Sequence, residues 1–226
     1  MDDAKWERYA ALGGIWFVLL TVIGSNLAGA PPSLDDSRAQ IVKYFADHSG
    51  ALEAGMFMNA IGAIGLVWWF GSLWRLMVEA EGGRPRMAVV ALGGLAISGA
   101  LALASGAVTS TIALQHGELA GAATAKVLFV LSGILIAGAG VGIVVLVAAV
   151  TSLSYRTKLF AAWINVVGWI AALLFLVASF AYASDANAIA LTGLGGFLLT
   201  CVWIVAVSVQ LWKRAGTSSV VGVPAA

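Results

Sequence analysis

An all-α integral membrane bundle of six transmembrane helices, with a short amphipathic helix in the first outer loop, is the fold class that this sequence predicts. Composition is the first reason. Of 226 residues, 61% are hydrophobic and 10% charged, against ~45–50% apolar and ~25% charged in soluble domains. Mean hydropathy is +0.98, which leaves little material for a separate water-soluble domain. The second reason is the spacing of the charges: six charge-free intervals run 9–34, 54–74, 87–117, 127–155, 159–184 and 186–212. Each reaches the ~20 residues that a helix needs to cross ~30 Å of hydrocarbon. They are continuous runs of Ala, Leu, Val, Ile and Gly, not the short alternating segments of a barrel.

Within those intervals the spans are placed at about 10–30, 52–74, 88–114, 127–153, 159–183 and 188–212, all in one membrane domain, 1–214. Ala28-Gly29-Ala30 at the end of the first span imitates a signal-peptide cleavage site. The apolar run there exceeds the ~7–15 residues of a signal core, so the span is expected to be retained. Pro31-Pro32 then ends it.

The loop from Pro31 to Gly50 contains the short helix. Ser33 is placed to cap it with Asp36 three residues on, and Asp35 and Asp36 suit the positive end of its dipole. Ile41, Tyr44, Phe45 and His48 recur at helical spacing and share one face. Such a helix is either a lid over an outward-facing cavity or, more commonly, a segment resting on the outer leaflet. The second span ends in Trp74-Arg75, and a turn with Gly82-Gly83 and Pro85 leads to the third. The fourth and fifth are joined through Ser154 to Leu159, and residues 215–226 are expected to form a disordered tail.

Six spans define two sides, and the basic residues divide unequally between them. Lys5, Arg8, Arg75, Arg84, Arg86, Arg156, Lys158, Lys213 and Arg214 fall on one side; Arg38, Lys43 and Lys126 fall on the other. The positive-inside rule therefore predicts cytoplasmic termini. Trp6, Tyr9, Trp74, Tyr155, Trp163 and Trp212 stand near the same ends, and Tyr182 near an outer one, as an aromatic belt requires. Three repeated hairpins would explain the similar aromatic-plus-base endings of the even spans and the echo between Ala11-Leu12-Gly13-Gly14 and Ala91-Leu92-Gly93-Gly94. The belt with the positive-inside rule explains the endings without duplication and is the preferred reading.

The chemistry is sparse. No ionisable residue stands at the centre of a span, where its cost would mark it as functional. His48 and His116 sit at or beyond the outer boundary, which argues against a haem held between two buried histidines. No zinc-protease helix, nucleophile elbow or phosphate-binding loop motif is present, so no catalytic residue and no cofactor are expected. A net charge of +1 without a basic stripe argues against nucleic acid. Cys201 is the single cysteine and stands in an apolar run.

Uncharged polar residues lean outward: Ser25, Asn26, Asn59, Ser105, Thr109, Ser110, Thr111, Ser132, Ser179 and Thr192. They line a cavity between helices, or they form interhelical hydrogen bonds worth ~0.6–2 kcal/mol each. Asn26 and Asn59, at comparable depths on adjacent spans, are in a position to bond each other. Asp47, His48, Glu53, His116, Glu118, Lys126 and Asp185 collect outside the membrane. Their spacings match no strong metal-ligand motif, and solvated loop charges are the plainer reading. Gly138 and Gly142 form a G-x-x-x-G pair that permits either an intrachain contact or a seam between copies.

Pro31-Pro32, Tyr44-Phe45-Ala46-Asp47-His48 and Trp69-Phe70-Gly71-Ser72-Leu73 carry a resemblance. Over about the first third of its length the chain resembles uncharacterised multi-pass membrane proteins of actinobacteria. The resemblance implies a bacterial plasma membrane and a six-helix bundle, and no activity. The expectation is a protein that binds or passes a small apolar or amphipathic molecule through an outward-facing cavity, with Asn26, Asn59, Thr109, His48, Glu53 and His116 as candidate residues. The rival is a structural or accessory subunit of a membrane complex. Membrane lipids, an amphipathic ligand or another membrane protein are the partners these two roles imply.

Overall fold

The computed structural model of the chain describes residues 3–33, 36–115, 122–179 and 187–217. Among them every regular element is an α-helix: α1 (Asp3–Asn26), α2 (Arg38–Ala80), α3 (Met87–Leu114), α4 (Ala122–Thr157), α5 (Ala162–Ser179) and α6 (Asn187–Thr217). All six contain a stretch long and apolar enough to cross a membrane. The all-α class and the six spans read from the sequence are therefore present.

Sequential helices form three antiparallel hairpins, α1 with α2, α3 with α4, and α5 with α6. Contacts of α2 with α3, α4 with α5 and α6 with α1 close these into a ring, and α2 also touches α4 and α6. The beginning of α1 and the end of α6 thus share one face, where the Arg8 guanidinium lies 5.6 Å from the centre of the Trp212 ring.

Glycine explains why the hairpins are tight. Among lipid tails there is no hydrophobic gain in bringing helices together, so they associate through close packing of small residues. A Cβ on Gly13 would lie 2.3 Å from the Gly65 carbonyl oxygen, and one on Gly142 would lie 2.6 Å from that of Gly94. Both contacts are backbone against backbone. The G-x-x-x-G of α4 thus puts Gly142 into an intrachain contact with α3.

Most of the core lies in the half nearer the termini. Trp69 of α2 and Trp203 of α6 meet edge to face at 6.2 Å between ring centres and 75° between planes. Ala11, Met77, Ala91, Val147, Val150, Ile164 and Val207 pack in the same cluster, so all six helices contribute to it. A smaller cluster at the opposite face joins Ile41, Phe45 and Leu52 of α2 to Ala28, Ile112, Ala113 and Ala125.

Helix α2 has 43 residues, or roughly 65 Å at 1.5 Å per residue, which exceeds a bilayer core. Its first three turns are the predicted loop helix, continuous with the second span through a kink at His48 (φ −120°, ψ 15°). Ser49 and Gly50 follow the kink, the residue pair that most often permits one apart from proline. His48 Nδ1 lies 2.9 Å from the Tyr44 carbonyl oxygen. That oxygen can only accept, so Nδ1 carries the proton in this bond.

The N-cap read from the sequence is corrected here, and three helix ends differ from the expected spans. The N-cap of α2 is Ser37, not Ser33: Ser37 and Gln40 form the capping box, while Ser33 N donates to Asp36 Oδ2 (2.8 Å) ahead of it. Helix α1 stops at Asn26 instead of about 30, because Gly29 turns the chain with φ 71°. Helix α5 starts at Ala162 instead of 159. Leu159 and Phe160 are buried in the turn before it, whose backbone is closed by Leu159 N to Ser154 O (3.1 Å) and Phe160 N to Ser154 Oγ (3.0 Å). Helix α6 runs to Thr217, past the expected end of the membrane domain; the rest of the tail, 218–226, lies outside the described residues.

The α2–α3 turn has its own cap. Gly82 and Gly83 take positive φ values of 67° and 82°. Arg86, at the N-cap of α3, offers no side-chain bond. Glu81 accepts from the amides of Arg86 (3.1 Å), Met87 (2.7 Å) and Ala88 (3.1 Å) instead. Partial burial opposes the charge on Glu81, but the three amides and the Arg86 charge outweigh it and hold the carboxyl below its ordinary 4.5.

Candidate functional site

At the face opposite the termini, the first turns of α2 are pinned by contacts from three directions. Ile41 and Phe45 are fully buried against Ile112, Ala113 and Ala125. Phe45 also meets Phe129 of α4 edge to face at 6.0 Å. Lys126 Nζ donates to the Asp36 carbonyl oxygen (3.0 Å), and the Tyr44 hydroxyl donates to that of Ala28 (3.4 Å). The face formed by Ile41 and Phe45 therefore packs on protein.

The predicted polar residues are dispersed. Asn26 is exposed and its Nδ2 donates to the Val22 carbonyl oxygen (2.7 Å) on its own helix, so it does not bond Asn59. Asn59 is half-buried and turned to α1, where a Cβ on Gly24 would lie 3.1 Å from its Oδ1. That oxygen is buried and without a partner. Thr109 is half-buried on α3. His48 is occupied at the kink, with its ring 4.8 Å from that of Tyr44. Glu53 is half-buried about one turn beyond it. His116, Glu118 and Asp185 lie outside the described residues. Asp47 is bonded to Lys43 at 2.6 Å. Among the described residues no group of three His, Cys, Asp or Glu side chains is close enough to hold a metal ion.

Several hydroxyls are satisfied locally. Thr111 donates to Ala107, Ser132 to Phe129 and Ser179 to Phe175, each on its own helix. Ser105 Oγ reaches across from α3 to the Ser132 carbonyl oxygen of α4 (2.8 Å), the interhelical bond that the sequence allowed for.

Two concavities are better formed. At the termini face, a cleft of about 130 Å³ is lined by Glu7, Ser72, Arg75, Glu79, Leu211 and Arg214, among others. Its charges answer one another: Arg75 is ion-paired with Glu7 and with Glu79, the latter at 3.1 Å, and Arg214 donates to the Leu159 carbonyl oxygen. At the opposite face, a groove of about 340 Å³ runs between the start of α2 and the first turns of α4, lined by Arg38, Ala123, Lys126, Val127 and Val130.

Sequence reasoning missed this groove. Its signal is present but thin: Ala123, Lys126, Val127 and Val130 share a helical stripe, and two of the three basic residues on that side meet at its end. The side-by-side placement of α4 and the start of α2, 85 residues and more apart in sequence, is what creates it.

Comparison with known proteins returns no matching family model, no similar curated protein and no similar solved structure. The described residues form a bundle of six helices long and apolar enough to span a membrane, and the functional reading rests on its geometry.

Proposed function

We propose that this protein resides in a bacterial plasma membrane with both termini in the cytoplasm and binds a small amphipathic molecule in the groove between α2 and α4, at the outer surface. The nine-to-three division of basic residues supports the orientation. The observation that carries the binding role is the groove itself, whose lining combines Ala and Val with two cationic side chains, Arg38 and Lys126. Binding sites of this kind combine an apolar lining with a few placed polar groups that orient the ligand. Passage through the middle of the bundle is not part of the proposal, because Trp69 and Trp203 fill that region in the half nearer the termini. Nor is catalysis, since the span centres carry no Asp, Glu, Lys, Arg or His side chain.

Native mass spectrometry of protein released from a mild detergent tests the role. A stoichiometric apolar or amphipathic adduct is expected on the unmodified chain. Val127→Trp, which fills the groove from a position 66% exposed, is expected to remove it. An adduct that persists in V127W would place binding elsewhere.

A second role has an observation of its own. Gly71 of α2 and Gly93 of α3 are exposed, and a Cβ at either would meet no atom within 4 Å, so two bare glycine surfaces point away from the bundle. These are the surfaces on which another membrane helix packs closely. Release as a complex with a second protein, and with no small adduct, would favour an accessory subunit.

A further inference from the structure

Resting on the binding role proposed above, we infer that the occupant of the groove is an anionic phospholipid, with its phosphate held between Arg38 and Lys126 and an acyl chain lying along α4. The inference begins with how the basic residues on this face are used. Lys43 is consumed by Asp47 at 2.6 Å on the same helix. Arg38 is exposed and forms no ion pair among the described residues. Lys126 donates one hydrogen bond, to the Asp36 carbonyl oxygen, and an ammonium group has three to give. Both side chains line the same groove.

The position of Arg38 strengthens the case. It is the first residue of α2, where the helix dipole disfavours a cation and favours an anion. The first turn contains no acidic residue to offset it. The Asp36 carboxylate, two residues earlier, is turned to the Ser33 amide at 2.8 Å. An arginine fork matches phosphate oxygens geometrically.

The apolar side favours a lipid over a free phosphate. Val127, 66% exposed, is continued along α4 by Leu131 (40%) and Ile134 (46%), which forms an uninterrupted apolar track from the cations toward the middle of the span. A phosphate held at the upper end would leave a hydrocarbon chain aligned with that track. Inorganic phosphate makes no use of it.

The test compares adducts of phosphatidylglycerol and phosphatidylcholine on the full-length protein in mild detergent at low salt. Each basic residue near an anionic surface strengthens binding roughly fivefold, so removal of two weakens it roughly twenty-five-fold. The unmodified chain is expected to retain phosphatidylglycerol in preference to phosphatidylcholine, and R38Q/K126M to lose that preference while K43Q keeps it. R38Q alone is the second variant, because Arg38 forms no ion pair among the described residues, and it is expected to lose about fivefold. Equal retention of both lipids, or an equal loss in K43Q, would overturn the inference. So would binding of inorganic phosphate alone that is as strong and as dependent on Arg38 and Lys126. If V127W removes the adduct and R38Q/K126M does not, the amphipathic role stands and the anionic headgroup does not; if V127W leaves the adduct in place, the groove itself is the wrong site.

Discussion

The two ends of this bundle hold together in different ways. In the half nearer the termini, two tryptophans from α2 and α6 interlock, and residues from every helix close around them. At the opposite face, the start of α2 is attached by two buried side chains, Ile41 and Phe45, and by single hydrogen bonds such as Lys126 to Asp36. The first is a core shared by six helices; the second is a local attachment that leaves a groove beside it. The half nearer the termini is therefore the more densely connected, and the opposite face is held by fewer contacts.

A first effect is expected on the glycine contacts that build the hairpins. Gly142→Ala puts a Cβ 2.6 Å from the Gly94 carbonyl oxygen, which forces α3 and α4 apart. A loss of about 2–4 kcal/mol, or failure to accumulate in the membrane, is expected, with thermal unfolding in detergent as the measurement. A tolerated alanine would mean that the hairpin is looser than its geometry.

The contrast between the two ends is tested directly by truncation. Trp203→Ala is expected to cost about 3–5 kcal/mol and to lower the stability of the whole bundle. Phe45→Ala should cost less, about 1–3 kcal/mol. Its increased hydrogen exchange should be confined to the residues before the His48 kink. Equal spreading of exchange in the two variants would erase the distinction between a shared core and a local attachment.

A smaller and pH-dependent effect is expected at Glu81. Its folded-state carboxyl is held below 4.5 by the three amides of the α3 start, with partial burial acting the other way. A lowered folded-state value means that its stabilisation is complete at pH above about 4.5 and disappears as the pH falls through the folded-state value. Glu81→Ala should lose about 1–2 kcal/mol at neutral pH. The difference between variant and parent should shrink in chemical unfolding at progressively lower pH below 4.5. A constant difference would show that the carboxylate charge is irrelevant to the cap.

The spans were legible because lipid imposes a simple rule: a charge inside the hydrocarbon is costly, so intervals without charge mark the helices. Local capping was harder to read. Ser33 with Asp36 and Ser37 with Gln40 both satisfy the spacing, and it is Ser37 with Gln40 that forms the box. Leu159 and Phe160 look like the opening of a span by hydropathy, but they are buried in a turn instead. Glycine pairing across hairpins depends on the register between helices, which composition does not encode. The same reason limited the site. That Lys43 would pair with Asp47 was readable from an i, i+4 spacing. That Arg38 and Lys126 would border one groove required the start of α2 to lie against α4.

The contact between the first helix and the last also sets a clock. Gly14 of α1 packs against Ser208 of α6, and Arg8 lies over Trp212. About 190 residues separate the end of α1 from the end of α6, which at ~5–20 residues per second amounts to roughly 10–40 s of synthesis. For that interval α1 has only α2 to hold it, and the glycine contacts between those two helices let the pair wait in the membrane as a finished unit until its last neighbour is made.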